Sequence, residues 1–281
     1  MKNIKIQLTL AAILCLFLSG TTLSQDSYKL EYKFQKGKTY RYSSKTNSNI
    51  IQEMMGKEMK MTNTGEMVVR MVVDNVTKEG NGVLLVSFDS AKNTIKSQMM
   101  DSTMTLDNLI GKKTKITVSK IGTVVAREVI DTVKMEGPMG NAGQRGMTSM
   151  IKLPEKAIKI GEKWKSTNID TIESMCGKIH HTADMEFTLS GKEKKAGHDC
   201  LKIDYTGTTA DTGKMMMGGM ELFVEGNGKV KGTLYFDPQV GLTILDESTT
   251  DTEQTMAITG QQNMTIPMSS STKSIRTLLD K

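Results

Sequence analysis

The chain has 281 residues, a formal net charge of +6 at pH 7, and 23 methionines against one tryptophan. The positive excess is small and spread along the chain, so the sequence lacks the basic stripe on which nucleic-acid binding depends. No stretch beyond the N-terminal run is apolar enough to span a bilayer. These features exclude a nucleic-acid partner and predict a mature chain without a transmembrane segment.

Residues 1–24 have the pattern of a secretory signal peptide. Two lysines precede an apolar run from Leu8 to Leu18, and Thr22 and Ser24 are the small residues before a cut at Gln25. The run is too short for a membrane span. We expect export and cleavage near Ser24, which leaves the mature protein in the periplasm or outside the cell. The sequence favours neither compartment over the other.

A long strand is predicted from Met55 to Val73. Every second residue of this segment is largely apolar and the residues between them are largely polar, which is typical of a half-buried strand. Because the run is too long for one flat strand, we expect a bend or bulge at Gly65. Gly56 and Lys57, near its start, are the expected centre of a two-residue hairpin turn.

The alternation is interrupted between residues 128 and 147. Residues 128–135, with the sequence EVIDTVKM, suggest a short helix. Residues 136–147 are rich in glycine and polar side chains and suggest a mobile loop, because they have little to bury.

Three segments of the first half resemble three segments of the second half, in the same order. The pairs are 36–48 with 160–172, 67–88 with 185–205, and 115–129 with 232–247. Alternation alone creates such matches, so a chance likeness stays open. The favoured interpretation is an all-β protein with minor α content, in which a curved antiparallel sheet or half-open barrel is built from two similar β-meander halves. The expected boundaries are 25–128 and 152–281, joined by an irregular or short helical connection at 129–151.

Four short motifs resemble an uncharacterised family of exported bacterial β-rich proteins. They are YKFQKGKTYRY at 32–42, IIQEMMGKEMKM at 50–61, LPEKAIKIGEKW at 153–164 and GTLYFDPQVGLT at 232–243. The family carries no assigned activity, so the resemblance implies no catalytic residue. The implied shape is similar to the half-barrels of periplasmic lipoprotein carriers, and a likeness of fold does not settle function.

The stretch from Cys176 to Cys200 contains both cysteines of the mature chain. An oxidising compartment favours a disulfide between them. A regular hairpin of residues 178–190 with 198–206, in which paired residue numbers add to about 390, opposes it. Such a hairpin separates the two cysteines by far more than the roughly 7 Å between Cα atoms that a disulfide allows. The Cys176–Cys200 bond therefore stays open.

No catalytic or zinc-binding motif is present. His180 and His181 point to opposite faces of one strand, and no histidine or cysteine pair has the close spacing of a zinc site. No serine lies in a nucleophile elbow, and the glycine-rich segments do not lie between a strand and a helix as a phosphate loop would. We expect a non-catalytic protein without a cofactor. A catalytic pair assembled from distant strands stays an alternative.

Methionine is the unusual feature of the composition. Thioether side chains are flexible and polarisable, so a concave sheet face lined by them suits an apolar partner such as a lipid, a lipoprotein, a peptide or another envelope protein. The candidate face consists of Met55, Met59, Met61, Met67, Met71, Met215, Met216 and Met217. Thioethers are also soft ligands, and the candidates for an alternative Cu(I) site are Met54, Met59, Met61, Met215, Met217 and Met220. Methionine as core filler, or in an envelope-structural module, also stays open.

Overall fold

The computed structural model describes residues 26–54, 56–98, 101–131, 150–174, 177–217, 220–259 and 263–279. Most of these segments are β-strands, in which successive side chains face opposite sides of the sheet. The strands are β1 (Ser27–Tyr28), β2 (Thr39–Met54), β3 (Lys57–Val76), β4 (Gly82–Ser97), β5 (Asp101–Thr105), β6 (Thr114–Val118), β7 (Val124–Val129), β8 (Ile158–Lys159), β9 (Lys163–Ser174), β10 (Gly177–Lys195), β11 (His198–Met217), β12 (Met220–Asp237), β13 (Leu242–Thr259) and β14 (Met264–Leu279). The one helical element among the described residues is a 3₁₀ turn at Asp107–Leu109.

Twelve strands form one antiparallel sheet. Their order is β7-β6-β4-β3-β2-β14-β13-β12-β11-β10-β9, with β5 beside β4. Strands β2 to β7 form one meander and β9 to β13 a second, and β14 pairs with both β13 and β2. Among the described residues the sheet is open, with β7 at one edge and β9 at the other. The expected all-β class, with a large antiparallel sheet of two similar meanders, is confirmed.

Each meander is preceded by a glycine turn that is hydrogen-bonded to the second strand of that meander. The N–H of Gly37 donates to the carbonyl of Val73 at 2.8 Å, and the N–H of Gly161 donates to the carbonyl of Leu189 at 2.7 Å. Both glycines have a positive φ, 81° and 90°, which glycine adopts without steric cost. The segments before β2 and β9 therefore dock on β3 and β10 in equivalent ways.

The two ends of the sheet differ in composition. At one end, which we call the proximal end, the turns that follow β3, β6, β10 and β12 each contain a glycine. At the other end, the connections lie between β2 and β3, β4 and β5, β9 and β10, β11 and β12, and β13 and β14. Four strand termini there are methionines: Met54, Met217, Met220 and Met264. We call this end the methionine end.

The main core lies on one face of the sheet at the proximal end. One cluster forms on β3, β4 and β6, and a second on β10, β11 and β12. Phe34 and Met150 pack against both clusters and join them. Removal of these aliphatic and aromatic side chains from water is the main favourable contribution to folding. Fully buried members include Val73, Ile203 and Leu234.

Two irregular segments cover this core. In residues 29–34, the N–H of Tyr32 donates to the carbonyl of Lys120 at 2.7 Å. The Tyr32 hydroxyl donates to the carbonyl of Ile151 at 3.1 Å, in the second segment, residues 150–158. Backbone groups that are not in the sheet thus find partners at the proximal turns, which lets both segments lie against apolar side chains.

The structure corrects two local expectations. Met54 pairs with Lys57, so Gly56 is the second and not the first central residue of its turn. Glu128 and Val129 end β7 and do not start a helix, because they continue the pairing with β6. The rest of that segment from residue 132, and the loop at 136–147, lie outside the described residues.

Gly65 does not form the expected bulge. It is paired regularly with Thr46 and Asn93, and the irregularities of β3 fall between Val68 and Val69 and after Val73. A Cβ at Gly65 would lie 2.6 Å from the Thr46 hydroxyl oxygen. The glycine therefore makes room for a cross-strand side chain.

The sheet curves toward its polar face in the middle of the long strands. A groove of about 750 Å³ opens there and is lined by residues of six neighbouring strands, from Ile51 of β2 to Asp184 of β10. Six flat strands would spread these side chains over roughly 24 Å, so a shared groove requires curvature. Most of its lining is hydroxyl, amide or charged. This groove opens on the face opposite to Met59 and Met215, and the methionine-lined concave face stays a prediction.

Replacement of Ile203 by alanine is expected to lower the free energy of unfolding by roughly 2–5 kcal/mol, because the side chain is fully buried and its loss leaves a cavity. Val125→Ala is the control, since Val125 is 61% exposed and should change stability by less than about 0.5 kcal/mol. Urea unfolding followed by circular dichroism measures both variants. Equal losses would contradict the placement of the core.

Candidate functional site

The methionine end gathers side chains that are far apart in the sequence. Directly paired residues of an antiparallel ladder lie on the same face, so the register shows which side chains meet. One row across the sheet consists of Met215, Leu222, Ile258 and Met264. Another consists of Met59, Gln52 and Met268. The same face also carries Met61 opposite Ile50, and Val224, Met256 and Ile266 in adjoining positions.

These residues form a half-open apolar surface. Its floor is aliphatic and buried, with Leu222, Ile258 and Ile266 at 2%, 7% and 5% exposure. The methionines around this floor are half-buried. Every described residue that packs in the aliphatic cluster belongs to β11, β12, β13 or β14. We call the surface the methionine patch: Met59, Met61, Met215, Met256, Met264 and Met268 with Leu222, Ile258 and Ile266.

A polar belt separates the methionine patch from the main core. On the same face, β12, β13 and β14 carry Gly228, Thr252 and Ser270 in one row. The hydroxyl groups of Thr252 and Ser270 hydrogen-bond to each other at 2.6 Å. Leu222 in the patch and Leu234 in the core are roughly 40 Å apart along β12. The patch is therefore a second apolar region, distinct from the core.

Ion pairs lie on the face of the methionine end opposite to the patch. Three ion pairs lie at this end of the sheet: Lys60–Glu58 at 3.0 Å, Lys96–Asp101 at 3.4 Å and Lys214–Glu221 at 3.2 Å. Exposed pairs of this kind add little to stability. Because each pair combines one positive and one negative side chain, these pairs add no net charge to this end of the sheet.

Three members of the predicted apolar face lie on one face at the methionine end, although β3 and β11 are five strand positions apart, roughly 24 Å. Met59, Met61 and Met215 lie in the methionine patch. Met71 does not, because it is 2% exposed in the main core, roughly 40 Å from Met59 along β3. Its assignment to the ligand face is wrong, since alternation fixes the face of a residue but not its position along the strand.

Met216 is also outside the patch. It follows Met215 directly in β11 and therefore lies on the opposite face, where it is 50% exposed. Met55 lies outside the described residues. Met217 ends β11, but its side chain lies outside the described part of the chain.

Four methionines of the alternative Cu(I) set are placed at the same end. Met59, Met61 and Met215 are in the patch, and Met220 begins β12 with 44% exposure. Met54 ends β2, and its side chain lies outside the described part. The Cu(I) alternative and the apolar alternative therefore concern one surface.

Sequence reasoning missed Met256, Met264 and Met268. These residues are isolated in the sequence, whereas other methionines lie in runs such as 215–217. A signal was present, because Met264, Ile266 and Met268 alternate with polar residues as a half-buried strand does. Their position on the same face as Met59 could not be inferred, since it depends on the pairing of β14 with β2.

Met67 lines a small cavity between the two meanders. The cavity has a volume of about 230 Å³ and also borders Tyr42, Asp246 and Arg276. The hydroxyl of Tyr205 donates to Asp246 Oδ1 at 2.7 Å. Burial raises the pKa of the Asp246 carboxyl above its usual range, and burial raises the pKa of Tyr42 to about 12. The arrangement satisfies a buried carboxyl group where the meanders join.

The histidines have separate partners. His181 Nδ1 lies 2.7 Å from Asp211 Oδ1, and His198 Nδ1 lies 2.7 Å from Asp237 Oδ2. His180 lies on the opposite face from His181, as the alternation predicted. In the part of the chain that the structure describes, no three His, Cys, Asp or Glu side chains are grouped to hold a metal ion.

Cys200 is a buried free thiol, and burial raises its pKa to about 11. In the ladder of β10 and β11 it pairs with Glu193, whereas Gly177 pairs with Met215 at the other end. Gly177 and Glu193 are roughly 50 Å apart along β10. Cys176 lies outside the described residues, and the position of its neighbour gives a Cys176–Cys200 disulfide no support.

The hairpin of β10 and β11 keeps the predicted faces with a different register. Phe187 pairs with Tyr205 and Leu189 with Ile203, so the paired numbers add to 392 instead of 390. A shift of two residues leaves every side chain on its face. A bulge between Leu189 and Gly191 then changes the register toward the turn.

Comparison with known families and proteins gives one family match. Residues 142–243 match the model of a family of unknown function, DUF6263. The expected resemblance to an uncharacterised family is confirmed over that range, which contains the motifs at 153–164 and 232–243. No curated protein matches the chain. Among the described residues, no helix is long and apolar enough to cross a membrane.

Three solved structures are similar over most of the chain at low identity. A structure of lipid–protein interactions in lipovitellin is 12% identical over 88% of this chain, with a TM-score of 0.42. The chain spans only 26% of that lipovitellin chain. OccK2 (OpdF) of Pseudomonas aeruginosa is 7% identical over 87% of this chain and 100% of its own, at 0.27. The COG4313 outer membrane channel of Pseudomonas putida F1 is 8% identical over 88% and 97%, at 0.20. Likeness at these scores carries no functional information.

The hydrogen bond with Asp211 raises the pKa of His181 above its ordinary value, although partial burial opposes the shift. A raised pKa in the folded state adds stability that is fully present below the unfolded pKa of about 6.5. That stability is lost as the pH rises through the folded pKa. Asp211→Asn should therefore destabilise the protein more at pH 5 than at pH 9.

Urea unfolding of the variant and the parent at both pH values measures this difference. Asp199→Asn is the control, because the Asp199 side chain is 79% exposed and lies 3.9 Å from its nearest lysine nitrogen. The same loss at pH 5 and pH 9 for Asp211→Asn would contradict the assignment.

Proposed function

We propose that the protein is an exported, non-catalytic binding protein that holds an apolar partner on the methionine patch. The observation that carries this proposal is the presence of a second apolar region on the sheet face, cut off from the core by the polar belt at Gly228, Thr252 and Ser270. The partner is a lipid, a lipoprotein or an apolar peptide of the cell envelope.

The chemistry of the patch suits such a partner. Methionine side chains are unbranched, flexible and polarisable, so they adapt to apolar surfaces of varied shape. Met215, Met256 and Met264 pack against the aliphatic floor, and Met59, Met61 and Met268 extend the same face toward β3. Half-exposed apolar surface of this kind marks interaction sites in other proteins. The floor of the patch is aliphatic, which favours an uncharged partner.

A Cu(I)-binding protein is the second candidate. It is favoured by the presence of several thioethers at one end of the sheet, since soft sulfur ligands select Cu(I). The two candidates make opposite demands on the side chain. A copper site needs the sulfur atom, whereas an apolar site needs only volume and apolarity.

Met59 and Met61 distinguish these functions. The double change Met59→Leu, Met61→Leu should leave binding of N-phenyl-1-naphthylamine, an uncharged apolar fluorophore, nearly unchanged because volume and apolarity are kept. The double change Met59→Gln, Met61→Gln should weaken it by about tenfold, since a buried amide without a partner costs roughly 1–3 kcal/mol. Fluorescence titration measures both affinities.

Met216→Gln is the matched control, because Met216 is at the same end on the opposite face and should not affect the fluorophore. Equal affinities of the leucine and glutamine variants would contradict an apolar patch. Loss of bound Cu(I) from the leucine variant, in a competition assay with a Cu(I) chelator, would favour the copper function instead.

Export makes a separate prediction. The protein recovered from its native host is expected to begin at Gln25, because the small residues before that position suit signal peptidase cleavage. Intact mass spectrometry measures the N-terminus, and the same spectrum under native conditions reveals any retained lipid or copper ion. A mass that includes residues 1–24 would contradict cleavage.

A further inference from the structure

The small cavity between the two meanders has a charged wall and an apolar wall. One row of directly paired residues crosses it: Asp246 of β13, Arg276 of β14, Ser44 of β2 and Met67 of β3. Paired residues lie on the same face, so the charged groups border the cavity on one side and the thioether on the other. Met71, which is 2% exposed, lines the same apolar wall.

The carboxyl group of Asp246 has room for a second partner. Its Oδ1 accepts a hydrogen bond from the hydroxyl of Tyr205 at 2.7 Å, and this is its one hydrogen bond among the described residues. The two oxygens of a carboxylate accept about four hydrogen bonds. Burial raises the pKa of this carboxyl group, whereas its hydrogen bond with Tyr205 and the charge of Arg276 lower it. The remaining acceptor positions of Asp246 suit an ammonium group in the cavity, which favours the ionised carboxylate further.

The guanidinium group of Arg276 is held apart from this carboxyl group. Its Cζ lies 4.4 Å from the centre of the Tyr42 ring, so the ring supports the guanidinium group at the cavity wall. Arg276 and Asp246 are cross-strand neighbours, yet within the described chain no ion pair joins them to each other. A guanidinium group has five N–H donors in a planar fork, so it binds a carboxylate in addition to its present contacts.

We propose that this cavity binds a small zwitterion with an aliphatic side chain, namely an α-amino acid such as valine or leucine. The ligand's carboxylate pairs with Arg276, its ammonium group pairs with Asp246, and its side chain contacts Met67 and Met71. The cavity volume of about 230 Å³ is roughly eight times the share of one water molecule in the liquid, which suits a ligand of this size. A purely apolar ligand would displace water from two charged groups, and a simple anion or cation would meet a group of like charge.

This site is distinct from the methionine patch and lies beside the main core. Met67 and Met59 are roughly 26 Å apart along β3. On the proximal side, Tyr32 and Ile151 of the two covering segments border the cavity and are hydrogen-bonded to each other. On the opposite side the cavity borders Ser274, whose cross-strand neighbours are a serine and a threonine. Small polar side chains at this border favour entry of a polar ligand from that side.

Isothermal titration calorimetry of the purified protein with L-leucine tests the proposal. The parent should bind L-leucine. Isocaproate, which lacks the ammonium group, and isoamylamine, which lacks the carboxylate, should each bind about tenfold more weakly, because each loses one charge-assisted contact. Asp246→Asn should weaken leucine binding about tenfold without weakening isocaproate, and Arg276→Gln should weaken it without weakening isoamylamine, a division that loss of folding would not produce. Asp251→Asn, on the opposite face of β13, is the control and should alter none of the three affinities.

NMR of the protein with isotope-labelled methionine methyl groups gives a second measurement. L-leucine should shift the methyl signals of Met67 and Met71 and leave those of Met59 and Met215 in place, with each signal assigned by a single replacement of methionine by leucine. Shifts at Met59 and Met215 without a shift at Met67 would place the ligand on the methionine patch and overturn the proposal. Equal affinity for the three ligands, or no leucine binding at about 10 mM, would overturn it as well.

Discussion

The ladder between β14 and β2 is the interaction on which the rest of the structure depends. It joins the end of the chain to its beginning, from Leu279 paired with Arg41 to Met268 paired with Gln52. Without it the two meanders would be separate sheets, and each would expose a long edge. With it, only β2 separates β14 from β3, so Met59 and Met61 lie on the same face as the aliphatic cluster of β11 to β14.

Among the described residues, two irregular segments cover the sheet, and both lie at its proximal end. Residues 29–34 and 150–158 reach the proximal turns and bury the main core there. Beyond them the face changes to glycine, serine and threonine, which need no cover because their hydroxyl groups bond to each other across strands. The return to apolar side chains at the methionine end therefore has no explanation in the core. It is this second change of composition that points to a partner.

The alternation of apolar and polar residues predicted much of the fold, because the two-residue period of a strand can be recognised within a short stretch of sequence. It placed Met59, Met61 and Val73 on one face of β3 and set Phe187 against the face of Tyr205. A short stretch of sequence does not show which end of the sheet a residue lies at, or which distant strand it pairs with. For that reason Met71 was assigned to a ligand site although it is core, and Met264 and Met268 were not assigned at all. The two-residue error in the register of β10 and β11 has the same origin. Alternation determines which face a side chain lies on, whereas the turn between the strands determines which residues are paired.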